Sequence, residues 1–164
     1  RNFIFPLTRT DTVFWKDEIE ARGLVRLEII FKDNTKLWIG DNSKFVIDEM
    51  VYEPNAKGQA VLNFTQGVFR IVTGALNKIN GSEFIIKTPL ASIGVRGTDF
   101  WGNQSDKKLT LALLDDGELH VSTPKGDITL TKPLSAVVIE FGKEIGQPFQ
   151  LTPEQVEQAK KTVE

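Results

Sequence analysis

Cysteine is absent from this 164-residue chain, and histidine, methionine and tyrosine occur once each. Without cysteine there is no disulfide, no thiol nucleophile and no thiolate-bound metal. A lone histidine removes most triad and zinc chemistry, which needs partners the sequence does not suggest. His120 sits between Leu119 and Val121 in a strand-like run and is expected to face solvent. Charge of one sign is also lacking. Lys and Arg total 20, Asp and Glu total 22, and the net charge is −2. Neither nucleic acid nor an anionic membrane surface therefore has an electrostatic reason to bind. No apolar run approaches the roughly 20 residues of a membrane helix. No basic-then-apolar leader opens the chain, which starts at Arg1. We read Arg1 as a mature terminus left by signal-peptide removal, with a trimmed boundary as the alternative. Phosphate-binding glycine loops and GxSxG elbows are missing. Asp115-Asp116-Gly117, like Asp41 and Asp127, lacks EF-hand spacing and reads as turn chemistry. Catalytic, cofactor and metal residues are each expected to be none, and so is an enzymatic role.

What is present is a rhythm of short alternating runs broken by turns every ~8–12 residues, the spacing of all-β sandwiches, barrels and solenoids. Val25, Leu27, Ile29 and Phe31 alternate with Arg26, Glu28 and Ile30, Asp33-Asn34 turns, and Lys36 to Ile39 returns. Gly40 to Ser43 turns again before Phe45 and Ile47. Ala60–Phe64 and Val68–Val72 flank a break at Gly67, and Gly74 to Gly81 reads as a loop or one helical turn. Leu109–Leu114 and Leu119–Val121 flank Asp115-Asp116-Gly117, which predicts a hairpin. Pro124 to Asp127 predicts another. Ala136–Phe141 is almost continuously apolar, as in a strand covered on both faces. One helix is expected. Thr152-Pro153-Glu154-Gln155 is a capping box with proline at the first helical position. Glu154 and Glu157 precede Lys160 and Lys161, matching the helix dipole. About 12 residues of helix are marginal alone, so this one must dock. The chain reads as an N-terminal extended arm or edge strand (1–16), a β domain (17–150) and the capped helix (151–164).

The most specific stretch is Thr88 to Phe100, T-P-L-A-S-I-G-V-R-G-T-D-F. It runs as a strand into an abrupt Arg96-Gly97-Thr98-Asp99 turn. Gly94 and Gly97 permit close backbone approach or positive φ. Thr98 and Asp99 can bond locally to backbone, and Arg96 can pair with Asp99. We expect Thr88, Pro89, Gly94, Arg96, Gly97, Thr98 and Asp99 to act structurally, locking a turn beneath Phe100 and Trp101.

This stretch resembles the signature of the FecR-like domain, a bacterial extracytoplasmic β module. The likeness extends to Phe31–Ile39 as a first hairpin and to Asn42-Ser43, Phe45, Ile47 and Val51–Pro54. It continues through Gln66–Arg70 and Leu114–Val121, covering about residues 17–121 in the family's order. Asn34 stands where that hairpin usually has glycine, a change αL-tolerant asparagine accepts. The regulators that gave the family its name also carry a cytoplasmic anti-sigma segment, a membrane helix and a further periplasmic domain. These are not seen in the 164 residues. The resemblance thus implies the β module, a periplasmic or extracellular location, and binding or assembly, without sigma regulation.

Two functions compete. Phe3, Phe5 and Leu7 alternate on one face of an arm whose Pro6 confines it to a sheet edge. Such an arm could complete its own domain or add a strand to a neighbour. The favoured reading is an exported, self-associating subunit of a fibre or surface layer, with Phe3, Phe5 and Leu7 as the assembly residues. The alternative is a monomeric periplasmic binding or sensory module recognising a protein or cell-envelope partner. Trp15, Trp38, Trp101 and Tyr52 could stack on a sugar, but Trp38 and Trp101 lie in strand contexts and are expected in the core, with Trp15 exposed. Asn63, Asn80 and Asn103 head Asn-x-Ser/Thr patterns, which arise easily by chance.

Overall fold

The computed structural model describes residues 4–164. Thirteen strands form from the alternating runs. They are β1 (Glu18–Ala21), β2 (Leu27–Ile30), β3 (Lys36–Ile39), β4 (Ser43–Val51), β5 (Gln59–Val72), β6 (Glu83–Lys87), β7 (Ser92–Arg96), β8 (Asp99–Ser105), β9 (Lys108–Leu113), β10 (Glu118–Thr123), β11 (Gly126–Leu130), β12 (Ser135–Glu140) and β13 (Phe149–Gln150). A 3-10 turn spans Ala75–Lys78 and one helix, α1, spans Pro153–Lys161. The chain is all-β with a single C-terminal helix.

The strands make two sheets that share β5. Sheet I runs β1-β4-β5-β6-β7-β10-β11, and sheet II runs β2-β3-β5-β8-β9-β12-β13. The 14-residue β5 belongs to sheet I through Gln66 and to sheet II from Gly67. Gly67 has φ +106, and a Cβ there would lie 2.0 Å from the Ser43 hydroxyl. Only glycine fits this corner, because the backbone is left-handed and the space is taken. The expected break at Thr65-Gln66-Gly67 is thus a bend within one strand.

The same back-and-forth governs the whole chain. Hairpins form within one sheet (β2–β3, β4–β5, β6–β7, β8–β9, β10–β11), and the next connection crosses to the other. Every pairing is antiparallel except β5–β6. A parallel solenoid, left open by the sequence, is therefore not what forms. The Asp115-Asp116-Gly117 hairpin is a second correction. β9 pairs with β8 and β12, whereas β10 pairs with β7 and β11, so this turn is a crossing between sheets.

Period-2 alternation places one apolar set of each sheet in a common core. Phe45, Leu62, Phe64, Ile86 and Ile93 of sheet I meet Leu37, Phe69, Ile71, Phe100 and Leu111 of sheet II, all fully buried. At the β5 corner the rings form a column. Phe45 stacks on Phe64 at 5.0 Å, Phe64 on Phe69 at 4.2 Å, and Phe69 meets Phe100 edge-on at 6.3 Å. Each such pair adds about 0.5–1.5 kcal/mol beyond its buried area, which stabilises the corner that joins the sheets.

The N-terminal arm differs from expectation. Phe3 lies outside the described residues. Residues 4–17 form no strand, and Phe5 is 42% and Leu7 37% exposed. Pro6 has no N–H to give a ladder, and the register of sheet I begins only at Glu18, opposite Val46.

Candidate functional site

The Arg96–Asp99 segment carries the chain from β7 in sheet I to β8 in sheet II. Its geometry is fixed by side chains distant in sequence. The Gly97 N–H donates to the Asn77 side-chain oxygen at 2.6 Å, and the Asn77 amide donates to the Val95 carbonyl at 3.1 Å. The Thr98 N–H donates to the Thr73 hydroxyl at 2.9 Å, and the Thr98 hydroxyl to the Asp115 carbonyl at 3.2 Å. Leu114 N–H closes on the Asp99 carbonyl at 2.8 Å. Gly117 packs so closely that a Cβ would lie 2.4 Å from the Gly97 carbonyl. Two crossings and the segment after β5 are therefore stapled together at one point. Thr88 and Pro89 lie apart, in the β6–β7 turn, where the Thr88 hydroxyl accepts from Ala91 N–H at 3.1 Å.

Two details of the expected turn change. Asp99 pairs with Arg70, not Arg96, through two bonds of 2.9 and 2.7 Å, both side chains less than a fifth exposed. Arg70 lies on the neighbouring strand opposite Trp101, hence diagonal to Asp99, while Arg96 is exposed at the end of β7 opposite Glu118. Gly94 has ordinary room, its nearest neighbour to an added Cβ being the His120 Cβ at 3.8 Å.

Arg70 belongs to a row on the outer face of sheet II. Cross-strand register aligns Glu28, Trp38, Arg70, Trp101, Ala112, Ala136 and Phe149. Trp38 donates to Glu28 at 2.9 Å, and the Arg70 guanidinium lies 5.4 Å from the Trp38 ring centre. The hydrogen bonds to Asp99, with the charges of Asp99 and Glu164, raise the Arg70 pKa against the opposing effect of burial. Trp38 and Trp101 are thus half-buried on the outer face rather than in the core. Alternation fixes two faces without saying which one turns inward. Trp15 is 65% exposed, its ring N–H bound to the Asp48 carbonyl, and Tyr52 packs against the core.

A buried carboxylate, Asp33, supports the β2–β3 hairpin. Asp33 accepts from Thr35 N–H at 3.0 Å, the Thr35 hydroxyl at 2.8 Å and Leu76 N–H at 3.0 Å. It caps the 3-10 turn from 43 residues away. Sequence reading used Asp33 only as a turn residue and did not single out Arg70. The available signal for Arg70 was a charged residue between two core positions, Phe69 and Ile71. His120 is exposed, 2.8 Å from the Thr129 hydroxyl and 3.6 Å from Asp127. Among the described residues no group of His, Asp and Glu is placed to hold a metal, and no helix is long and apolar enough to cross a membrane.

A doubled sheet locked at a Gly-Thr-Asp crossing, with a polar-aromatic outer face, defines an all-β module with one C-terminal helix. The FecR protein family model matches residues 17–117, so the chain belongs to the FecR family. Two crystal structures of a putative anti-sigma factor from Parabacteroides distasonis share its fold, each with TM-score 0.69 and 16% identity over 86% of this chain. They are covered over 62% and 63% of their own length, so this chain spans less than two thirds of them. At that identity the likeness shows the fold alone. No curated protein matches the chain. These findings overturn the favoured reading of a fibre-forming or surface-layer subunit. The family match favours the alternative reading over it, and the described part of the arm, residues 4–17, forms no strand. Filament and self-assembly are withdrawn with it.

Proposed function

We propose that the chain is a non-catalytic periplasmic module of a bacterial sensory or regulatory protein, acting by binding another protein. The observation that carries this reading is the FecR match over residues 17–117 in a chain sharing the fold of putative anti-sigma factors. The structure supplies a rigid frame for such a role. The sheets are stapled at the Gly97-Thr98 crossing, leaving Arg96 exposed beside it.

The test is an in-frame deletion of residues 17–150 in the bacterium that encodes the chain, read by transcript profiling. A defined set of genes changing expression supports a regulatory module, and an unchanged profile overturns it. The role of Arg96 separates from stability. Arg96→Ala should leave the unfolding free energy within the range of surface substitutions, about 0.5 kcal/mol. Loss of the regulated response in that stable variant would identify Arg96 as a partner contact.

A further inference from the structure

The C-terminal segment lies across the outer face of sheet II like a strap. It is pinned at the β12 edge, where Leu151 N–H donates to the Leu134 carbonyl at 2.7 Å. At its far end Arg26, next to β2, donates to the Glu164 carbonyl at 2.9 Å and the Lys161 carbonyl at 3.3 Å. Between these points Trp101 donates to the Thr162 hydroxyl at 2.9 Å. Gly40 lets the segment down onto the sheet, since a Cβ there would lie 2.2 Å from the Thr162 carbonyl.

The surface beneath is shaped for a helix. Ala112 and Ala136 face outward yet are almost fully buried, and they and Val68 stand outside the main core cluster. A path from β13 to Arg26 takes α1 over β12, β9 and β8, where the small side chains of Ala136 and Ala112 leave room for it beside Trp101. Val163 and Ala159 are the buried residues that α1 and the turn after it contribute. Arg26 meets the carbonyl end of the helix, where the dipole favours a cation, and also pairs with Asp41 in the β3–β4 corner.

The strap is weakly held for what it covers. Nine residues of helix do not persist alone in water. Its fixings are a few side-chain bonds and two well-buried residues, whereas strands of sheet II are tied by continuous ladders. The strap also lies beyond residue 117, where the family match ends.

We propose that α1 is a releasable strap over a helix-binding trough formed by Val68, Trp101, Ala112 and Ala136. The trough's occupant, when α1 lifts, is a short amphipathic helix of a partner protein with an Ala/Val stripe and a free carbonyl end for Arg26. This inference rests on the reading above that the module works by binding a protein. The helix-in-groove mode supplies the physics, with a few spaced apolar anchors and a satisfied helix end. The chain's own helix tunes affinity, because a partner binds only the fraction of molecules in which the strap is open.

The experiment uses the full chain and the double variant Thr162→Ala/Val163→Ala, which removes fixings of the strap while leaving the trough and Arg26 intact. Hydrogen exchange of residues 155–164 should be at least tenfold faster than that of β8 and β9 in the unaltered chain. It should accelerate about tenfold further in the variant with β8 and β9 unchanged. A fluorescent peptide of residues 150–164 should bind the variant at least tenfold more tightly than the unaltered chain. Equal protection of α1 and β8–β9 would overturn the proposal, as would faster exchange of β8–β9 in the variant. So would a loosened strap that captures no peptide. The assay needs no natural partner, so its failure is distinct from an unchanged transcript profile.

Discussion

Arg70 and Asp99 are the ion pair whose loss should matter most. Their two parallel hydrogen bonds hold a planar guanidinium against a carboxylate at a position mostly screened from water. Removing either partner leaves the other charged group under-satisfied, so Arg70→Ala or Asp99→Ala should each cost about 1–3 kcal/mol by denaturant unfolding. The double variant should cost clearly less than the sum, the coupling expected of a direct pair. Asp33→Ala should cost a similar amount, because it frees Leu76 N–H, Thr35 N–H and the Thr35 hydroxyl together. On the arginine side ordinary pH changes nothing. A raised arginine pKa contributes stability throughout the range below its unfolded value and loses it only in strong alkali. Acid acts on two exposed glutamates. The Glu20 pKa is lowered, first by the Arg22 hydrogen bond, and that of Glu140 by Lys143. Their stabilisation is present above the ordinary glutamate value of 4.5 and fades as pH falls through the lowered one. Melting temperature should therefore decline in that acid window, and Glu20→Gln/Glu140→Gln should make the decline shallower.

The elements divide by whether their instructions are local. The capping box of α1 forms as written, with Gln155 N–H on the Thr152 hydroxyl at 3.2 Å and the Gln155 side chain on Thr152 N–H at 2.9 Å. Thr152→Ala should cost about 1 kcal/mol of helix stability, read as faster amide exchange confined to residues 153–164. The β2–β3 and β10–β11 hairpins were equally legible, since Asp33-Asn34 and Pro124 to Asp127 turn the chain between partners close in sequence. The crossings were not. Asp115-Asp116-Gly117 carries hairpin chemistry, but Gly117 is needed for its packing against Gly97, 20 residues back. Nothing local distinguishes a turn that returns to the same sheet from one that leaves it. The signature showed the same limit. Its glycine turn was visible, while the partner of Asp99 sits 29 residues away on β5. Gly67 is the sharpest test of this level. Gly67→Ala demands a left-handed alanine with its Cβ inside contact distance of Ser43, and should cost well over 1 kcal/mol, measured by chemical denaturation.

At the scale of the molecule, both sheets grow in the order of the chain. Reading across sheet I the strands are 1, 4, 5, 6, 7, 10, 11, and across sheet II 2, 3, 5, 8, 9, 12, 13. No strand is inserted between two earlier ones. A nascent chain emerging N-terminus first can therefore lay each hairpin onto an edge that already exists, without reopening finished pairings. The waiting edge is the one hazard of this scheme, since an uncovered ladder recruits foreign strands. At the end of sheet II that risk is met by β13 and by Gly146, whose N–H closes on the Val138 carbonyl of β12 at 3.2 Å. The stopper is thus written directly after the strand it protects, so sheet II is sealed as soon as β12 is laid down.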